Sequence, residues 1–303
     1  MSEFDLIRHE TIKQIEKKRN STVLVYVHED SLSYAHIPIF YNKLNSIGMV
    51  ENLDIFLSSN GGDPDAAFKI VKMCREHCRK KLSVIVPFMA KSAATLLAIG
   101  TDEIVMGAPS ELGPIDPQIS DRNSGVYGAT QSIRDCLDFL EDRFEKSDNL
   151  EVTSHVFMPI LDKLDPFTIG MFERAVKMSK QYAELLLKNG MLRERGDSEI
   201  DSVVKKLSES YYSHGYAINS VEAKNELFLN VVDYSGDEIW DSIWNLYITY
   251  YLELDKDNYL VIETLRDIEN RINDNSVDSN KNEVEGDNPD FAEDKDINDG
   301  VQE

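Results

Sequence analysis

Four runs of β-branched and other apolar residues recur at a steady interval along the first third of the chain, and they limit the fold more than any other feature. They are STVLVYVHED, NLDIFLSS, LSVIVP and DEIVMG. Between them lie three stretches with helical patterning, residues 34–47, 63–79 and 92–99. Near-continuous Val, Ile and Leu within each run indicates strands buried on both faces. Alternation with helices indicates βαβ units and a mostly parallel sheet. Such sheets place their ligand sites at the carboxyl ends of the strands.

The rest of the chain divides by pattern. Residues 1–20 read as an N-terminal helix, with Phe4, Ile7, Ile12 and Ile15 near helical spacing, and residues 21–235 as the main α/β domain. After Gly107 a Pro- and Gly-rich loop, APSELGPIDPQISDRNSG, leads to helices expected over 130–144, 166–188 and 198–211. Asn219 or Ser220 caps a short helix before a last strand over 228–232. Residues 236–272 are expected to be a helical extension whose Trp240, Trp244, Tyr247, Tyr250 and Tyr251 pack on the body or a neighbouring subunit. Residues 273–303 hold eleven Asp or Glu against two Lys and are expected to be a disordered acidic tail.

Charge and cysteine usage narrow the function class. A formal net charge of -23 argues against neutralising nucleic-acid phosphates. No run reaches the roughly eighteen apolar residues of a membrane span, and the charged N-terminus is no signal peptide, so a cytoplasmic protein without an integral membrane segment is expected. Cys74, Cys78 and Cys136 form no disulfide framework. Cys74, His77 and Cys78 lack a second ligand pair, so no metal is expected there.

Chemistry concentrates at two consecutive strand ends. The second strand finishes in SSNGGDPDAA and the third in VPFMAKSAATLL. Gly61 and Gly62 let backbone N–H groups approach a ligand, and the Ala93 amide lies at a helix start. Beside the Ser92 hydroxyl, these three would form an oxyanion pocket, as in a hydrolase. The competing reading of Ser92 is a plain helix cap.

The succession of strand, GGD, helix, strand, small-Ser-small, helix and Gly/Pro loop resembles the fold of Clp proteolytic subunits, SppA-type signal peptide peptidases and crotonases. Within that group AKSAATLLA (Ala90–Ala98), ELGPIDPQ (Glu111–Gln118), IEKKRNSTVLVYVHED and SHGYAI are most similar to the serine dehydrogenase proteinase family. The resemblance spans residues 6–232. It implies a Clp/crotonase-like fold, a serine peptidase acting on peptides or unfolded proteins, self-association into a homo-oligomer, and no cofactor. It also implies a Ser, Asp, His triad whose matching positions are Ser92, Asp116 and His214. On the residues alone, Asp116 equally suits a turn and His214 a surface position. A Ser-Lys dyad of the SppA type, with Lys177 or Lys180 as base, is the alternative mechanism. A Clp-fold assembly protein without catalysis and a crotonase-type acyl-CoA enzyme are the alternative classes. The acidic body, lacking a basic patch for CoA phosphates, disfavours the second.

Overall fold

The computed structural model describes residues 4–28, 31–120, 127–129, 131–162, 165–254 and 260–284. The chain opens with α1 (Asp5–Arg19), β1 (Thr22–His28), α2 (Ile37–Ile47), β2 (Val50–Ser59), α3 (Pro64–His77) and β3 (Cys78–Ile85). A two-residue strand β4 (Met89–Ala90) precedes α4 (Ala93–Ile99), β5 (Glu103–Met106), the short β6 (Glu111–Leu112) and a hairpin of β7 (Gln118–Ser120) and β8 (Tyr127–Ala129). Next come α5 (Gln131–Glu145), α6 (Leu150–Leu161), α7 (Pro166–Asn189), α8 (Asp197–Glu209), α9 (Ser220–Asn225) and β9 (Val231–Asp233). The C-terminal part contains α10 (Glu238–Tyr251), β10 (Leu260–Thr264) and α11 (Leu265–Val284).

The expected mostly parallel α/β sheet is present, in the order β10-β1-β2-β3-β5-β9. Every pairing along it is parallel except β10, which runs antiparallel to β1 from Leu24 opposite Thr264 to His28 opposite Leu260. Residues alternate between two cores along each buried strand, as a period of two requires. Leu24, Tyr26, Ile55 and Leu57 face α2, α3, α4, α7 and α8. Val23, Val25, Val27 and Phe56 face α1 and α10.

At its carboxyl end β2 changes partner. It pairs with β3 as far as Phe56, then Ser59 pairs with Ala90 of β4, and β4 pairs with β6. That change turns the segments leading to Gly61 and Ser92 side by side out of the sheet. Asp63 then starts α3, its carboxylate accepting the Asp65 and Ala66 amides ahead of Pro64 at the first helical position.

Two expectations need correction. The segment 236–272 is not one helical extension but helix, edge strand and the start of a second helix. The free edge of β1 offers a row of backbone groups, and LVIET is β-branched enough to take them. Glu263 is tolerated in that buried strand because Tyr250 Oη donates to its Oε1 at 2.7 Å and Arg271 pairs with its Oε2 at 2.8 Å. Secondly, α11 continues to Val284, so the tail does not begin at 273; residues 285–303 lie outside the described residues. Among the described residues no helix is long and apolar enough to cross a membrane.

Candidate active site

Ser92 sits where β4 hands over to α4, at φ 50° and ψ -117°, a backbone conformation that costs a residue with a Cβ roughly 1–3 kcal/mol. Its side chain makes no capping hydrogen bond, so the hydroxyl is not used as a helix cap. A serine on a strained strand-to-helix turn presents its Oγ away from the sheet, the geometry of a nucleophile elbow. The helix behind it is rigidly held: every residue of α4 is buried, and Thr95 Oγ1 ties the elbow to the segment after β6, donating its one proton to Ala90 O at 2.6 Å and accepting from Gly113 N at 3.0 Å.

Gly61 is pressed against this turn. At φ 103° a Cβ on it would lie 2.6 Å from Lys91 O and 2.7 Å from Ser92 Cβ, so the site requires glycine. Its N–H, however, donates to Ser59 Oγ at 3.2 Å. That N–H is thus engaged within its own turn, and what the glycine provides in this structure is clearance for the Lys91–Ser92 backbone. Gly62, at φ 133°, is bridged to Leu32, since Leu32 N donates to Gly61 O and Asp63 N to Leu32 O. Neither bond uses the Gly62 N–H. The Ala93 N–H, first in its helix, likewise has no intrahelical acceptor. Gly62, Ser92 and Ala93 line one cavity of about 190 Å³, walled by Leu96, Ile115 and Met178.

The structure brings Asp116 and His214 together, with His214 Nδ1 at 2.9 Å from Asp116 Oδ1. Asp116 is buried and His214 half-buried. The Asp116 segment is clamped on both sides, Ile115 N donating to Leu207 O at 2.9 Å and Ser179 Oγ donating to Ile115 O at 2.7 Å. His214 stands in a turn closed by Tyr216 N donating to Ser213 O at 3.0 Å. Asp116 lies between cavity residues Ile115 and Pro117. Among the described residues no hydrogen bond joins the Ser92 hydroxyl to His214.

The alternative bases lie elsewhere. Lys177 is exposed, and Lys180 pairs with Glu209. Met178 and Ser179, between them on α7, are the residues that face the cavity. His28 borders a second cavity of about 180 Å³, with Ser58, Asn60, Phe88 and Tyr247, on the α10 side of the sheet.

Three residues outside the expected catalytic set hold the site in place. Lys91 turns away from the cavity and pairs with Glu111 at 2.8 Å; Thr95 and Ser179 hold the elbow and the Asp116 segment. A small hydroxyl residue inside an otherwise apolar helix face is the only signal the sequence carries for the last two.

Comparison with known proteins bears on the same residues. The family model of the ClpP-like SDH-type serine proteinases matches residues 1–138. The uncharacterized protein MJ1495 of Methanocaldococcus jannaschii is 26% identical over 232 residues, covering 73% of this chain and 70% of its own. A second from that organism, MJ0137, is 26% identical over 251 residues and 78% of each chain. Among solved structures, a 1510-N membrane-bound stomatin-specific protease superposes with TM-score 0.45 at 14% identity, covering 73% of this chain and 83% of its own. The ClpP protease catalytic domain from Plasmodium falciparum gives 0.38 at 11% identity, over 77% and 91%. His214 lies beyond the matched segment. Through residues 1–138, which hold the glycine pair, the Ser92 elbow and Asp116, the chain carries the pattern of the ClpP-like SDH-type serine proteinases.

Proposed function

We propose that the protein is a serine peptidase that cleaves peptides or unfolded protein chains through an acyl-enzyme on Ser92. One observation carries the reading: Ser92 occupies a strained elbow with its hydroxyl free of any cap, in the wall of a cavity shared with the Gly62 and Ala93 amides. Ser92 Oγ attacks the substrate carbonyl carbon, and its proton passes to His214 Nε2. The negative oxygen that forms accepts from the Gly62 and Ala93 N–H groups. Collapse breaks the C–N bond, His214 returns the proton to the leaving amine, and water then releases the acyl group by the same route. Asp116 accepts from His214 Nδ1 and keeps the proton-free nitrogen toward the serine. In an unliganded site the serine–histidine hydrogen bond is commonly long and closes in the substrate complex.

Lys180 is held by Glu209 and Lys177 is exposed, so the Ser-Lys alternative draws no support from their surroundings. Self-association belongs to the same proposal: Leu150, Val152, Val156 and Ile160 of α6 are exposed, more apolar surface than one isolated helix face needs.

Replacing Ser92 by Ala should abolish labelling by a fluorophosphonate probe and lower peptide kcat by about 10⁶, with unchanged circular dichroism. Equal labelling of Ser92→Ala would remove Ser92 from the mechanism.

A further inference from the structure

The residue next to the nucleophile is the one buried lysine of the described residues whose ammonium reaches the segment carrying His214. Lys91 is 9% exposed. Its Nζ pairs with Glu111 Oε1 at 2.8 Å and donates to Leu112 O at 3.2 Å and to Tyr216 O at 3.0 Å. An ammonium has three protons, and these three acceptors use them all. Burying such a charge is costly unless it is paired and hydrogen-bonded in this way. The neighbouring chain makes room for it: a Cβ on Gly113 would lie 2.7 Å from Lys91 Cδ.

The acceptors belong to two separate elements. Glu111 and Leu112 form β6, which pairs with β4 beside the elbow. Tyr216 closes the turn on which His214 sits. The same two elements exchange backbone bonds at Leu112 and Ile218, at 2.9 and 3.0 Å. His214 is thus held from three directions: Asp116 on its ring, the Ile218 ladder below its turn, and Lys91 on the carbonyl two residues on.

We infer that Lys91 is a positioning residue that sets the His214 turn at the right height against the Ser92 hydroxyl. The inference rests on the peptidase reading for its catalytic consequence and on geometry alone for its structural part. Lys91 touches no substrate; it acts through the turn. Because it is covalently next to Ser92, any shift of the nucleophile is transmitted to the anchor of the base. A lysine serving only as a buried ion pair would affect stability and leave the chemistry of the folded enzyme unchanged.

The test uses the full chain with Lys91→Met, which keeps the stem and removes the charge, and Lys91→Arg, which restores donors. If Lys91→Met does not fold, Lys91→Met combined with Glu111→Gln removes the carboxylate it strands. Two readouts separate the two claims. In a Ser92→Ala background, the downfield proton NMR signal of the His214–Asp116 hydrogen bond is expected to vanish on Lys91→Met and return on Lys91→Arg. In the Ser92 enzyme, phosphonylation should slow about 10- to 100-fold on Lys91→Met, with peptide KM within about twofold, as expected when a base is misplaced by an ångström. An unchanged NMR signal overturns the positioning role whatever the rate. A signal that depends on Lys91 in a protein that never reacts at Ser92 upholds the positioning role and overturns the peptidase reading.

Discussion

The two ends of the site are held by different physics. The serine end is fixed locally: Met89 to Ile99 is contiguous, α4 is wholly buried, Gly61 is packed against the turn, and Ser92 itself is held at positive φ. The histidine end is assembled from distant parts by a few polar links, among them Asp116 at 2.9 Å and Lys91 at 3.0 Å across 125 residues of sequence. Tyr212 and Tyr216 on either side of it are exposed. A nucleophile set in close-packed apolar surroundings has little freedom, whereas a base held by a handful of hydrogen bonds moves at small cost. On the proposed mechanism, productive alignment would therefore be decided at the histidine end, with the serine end as the fixed reference.

The largest break in that contrast comes from Asp116→Asn. An asparagine keeps the volume but presents an amide to His214 Nδ1, favouring the wrong tautomer. The expected loss is about 10⁴-fold in kcat, with KM and the cavity around Ser92 little changed. Steady-state kinetics on a peptide substrate measure it, and a loss under tenfold would mean that the pair at 2.9 Å has no part in the reaction.

At the serine end, Gly61→Ala should act by a different route. The new methyl meets the Lys91 backbone oxygen and the Ser92 Cβ at under 3 Å, neither of which is the loose end of a flexible side chain. Backbone strain alone costs roughly 1–3 kcal/mol, readable as a lower urea midpoint. Relief by moving Ser92 should slow fluorophosphonate labelling about 100-fold. A variant with wild-type stability and labelling would show that the elbow is softer than its packing implies.

Legibility in the sequence divides along the same line. Strands buried on both faces, the Gly61–Gly62 pair and Ser92 are local patterns, written within a few dozen residues of one another, and the structure reproduces their placement. Asp116 and His214 stand out only through family resemblance, since an Asp before a proline and a His in a glycine-containing turn are ordinary in isolation. The β10 segment reads as helix from the sequence alone because helical patterns flank it on both sides. Its strand state depends on partners outside the segment: the open edge of β1, and Tyr250 and Arg271 on the Glu263 carboxylate. The role of Lys91 was illegible for the same reason, because nothing near it in sequence names Tyr216 as an acceptor.

The smallest effect concerns acid. His36 Nδ1 accepts from Ser33 N at 3.3 Å and lies 2.9 Å from Tyr26 Oη, contacts that favour the neutral ring. Burial, then the His28 ring 4.8 Å away, holds its pKa below the ordinary histidine value. A depressed folded-state pKa means that the unfolded chain takes up the proton first. The stabilisation is complete above about pH 6.5 and is lost as pH falls through that range toward the lower folded value. The affected turn, Ser33–His36, precedes α2 and directly follows Leu32, whose backbone brackets Gly62. Urea midpoints measured between about pH 7.5 and pH 5 should fall in the native protein and fall less in His36→Gln, which cannot titrate. The same slope in both proteins would assign the acid sensitivity elsewhere.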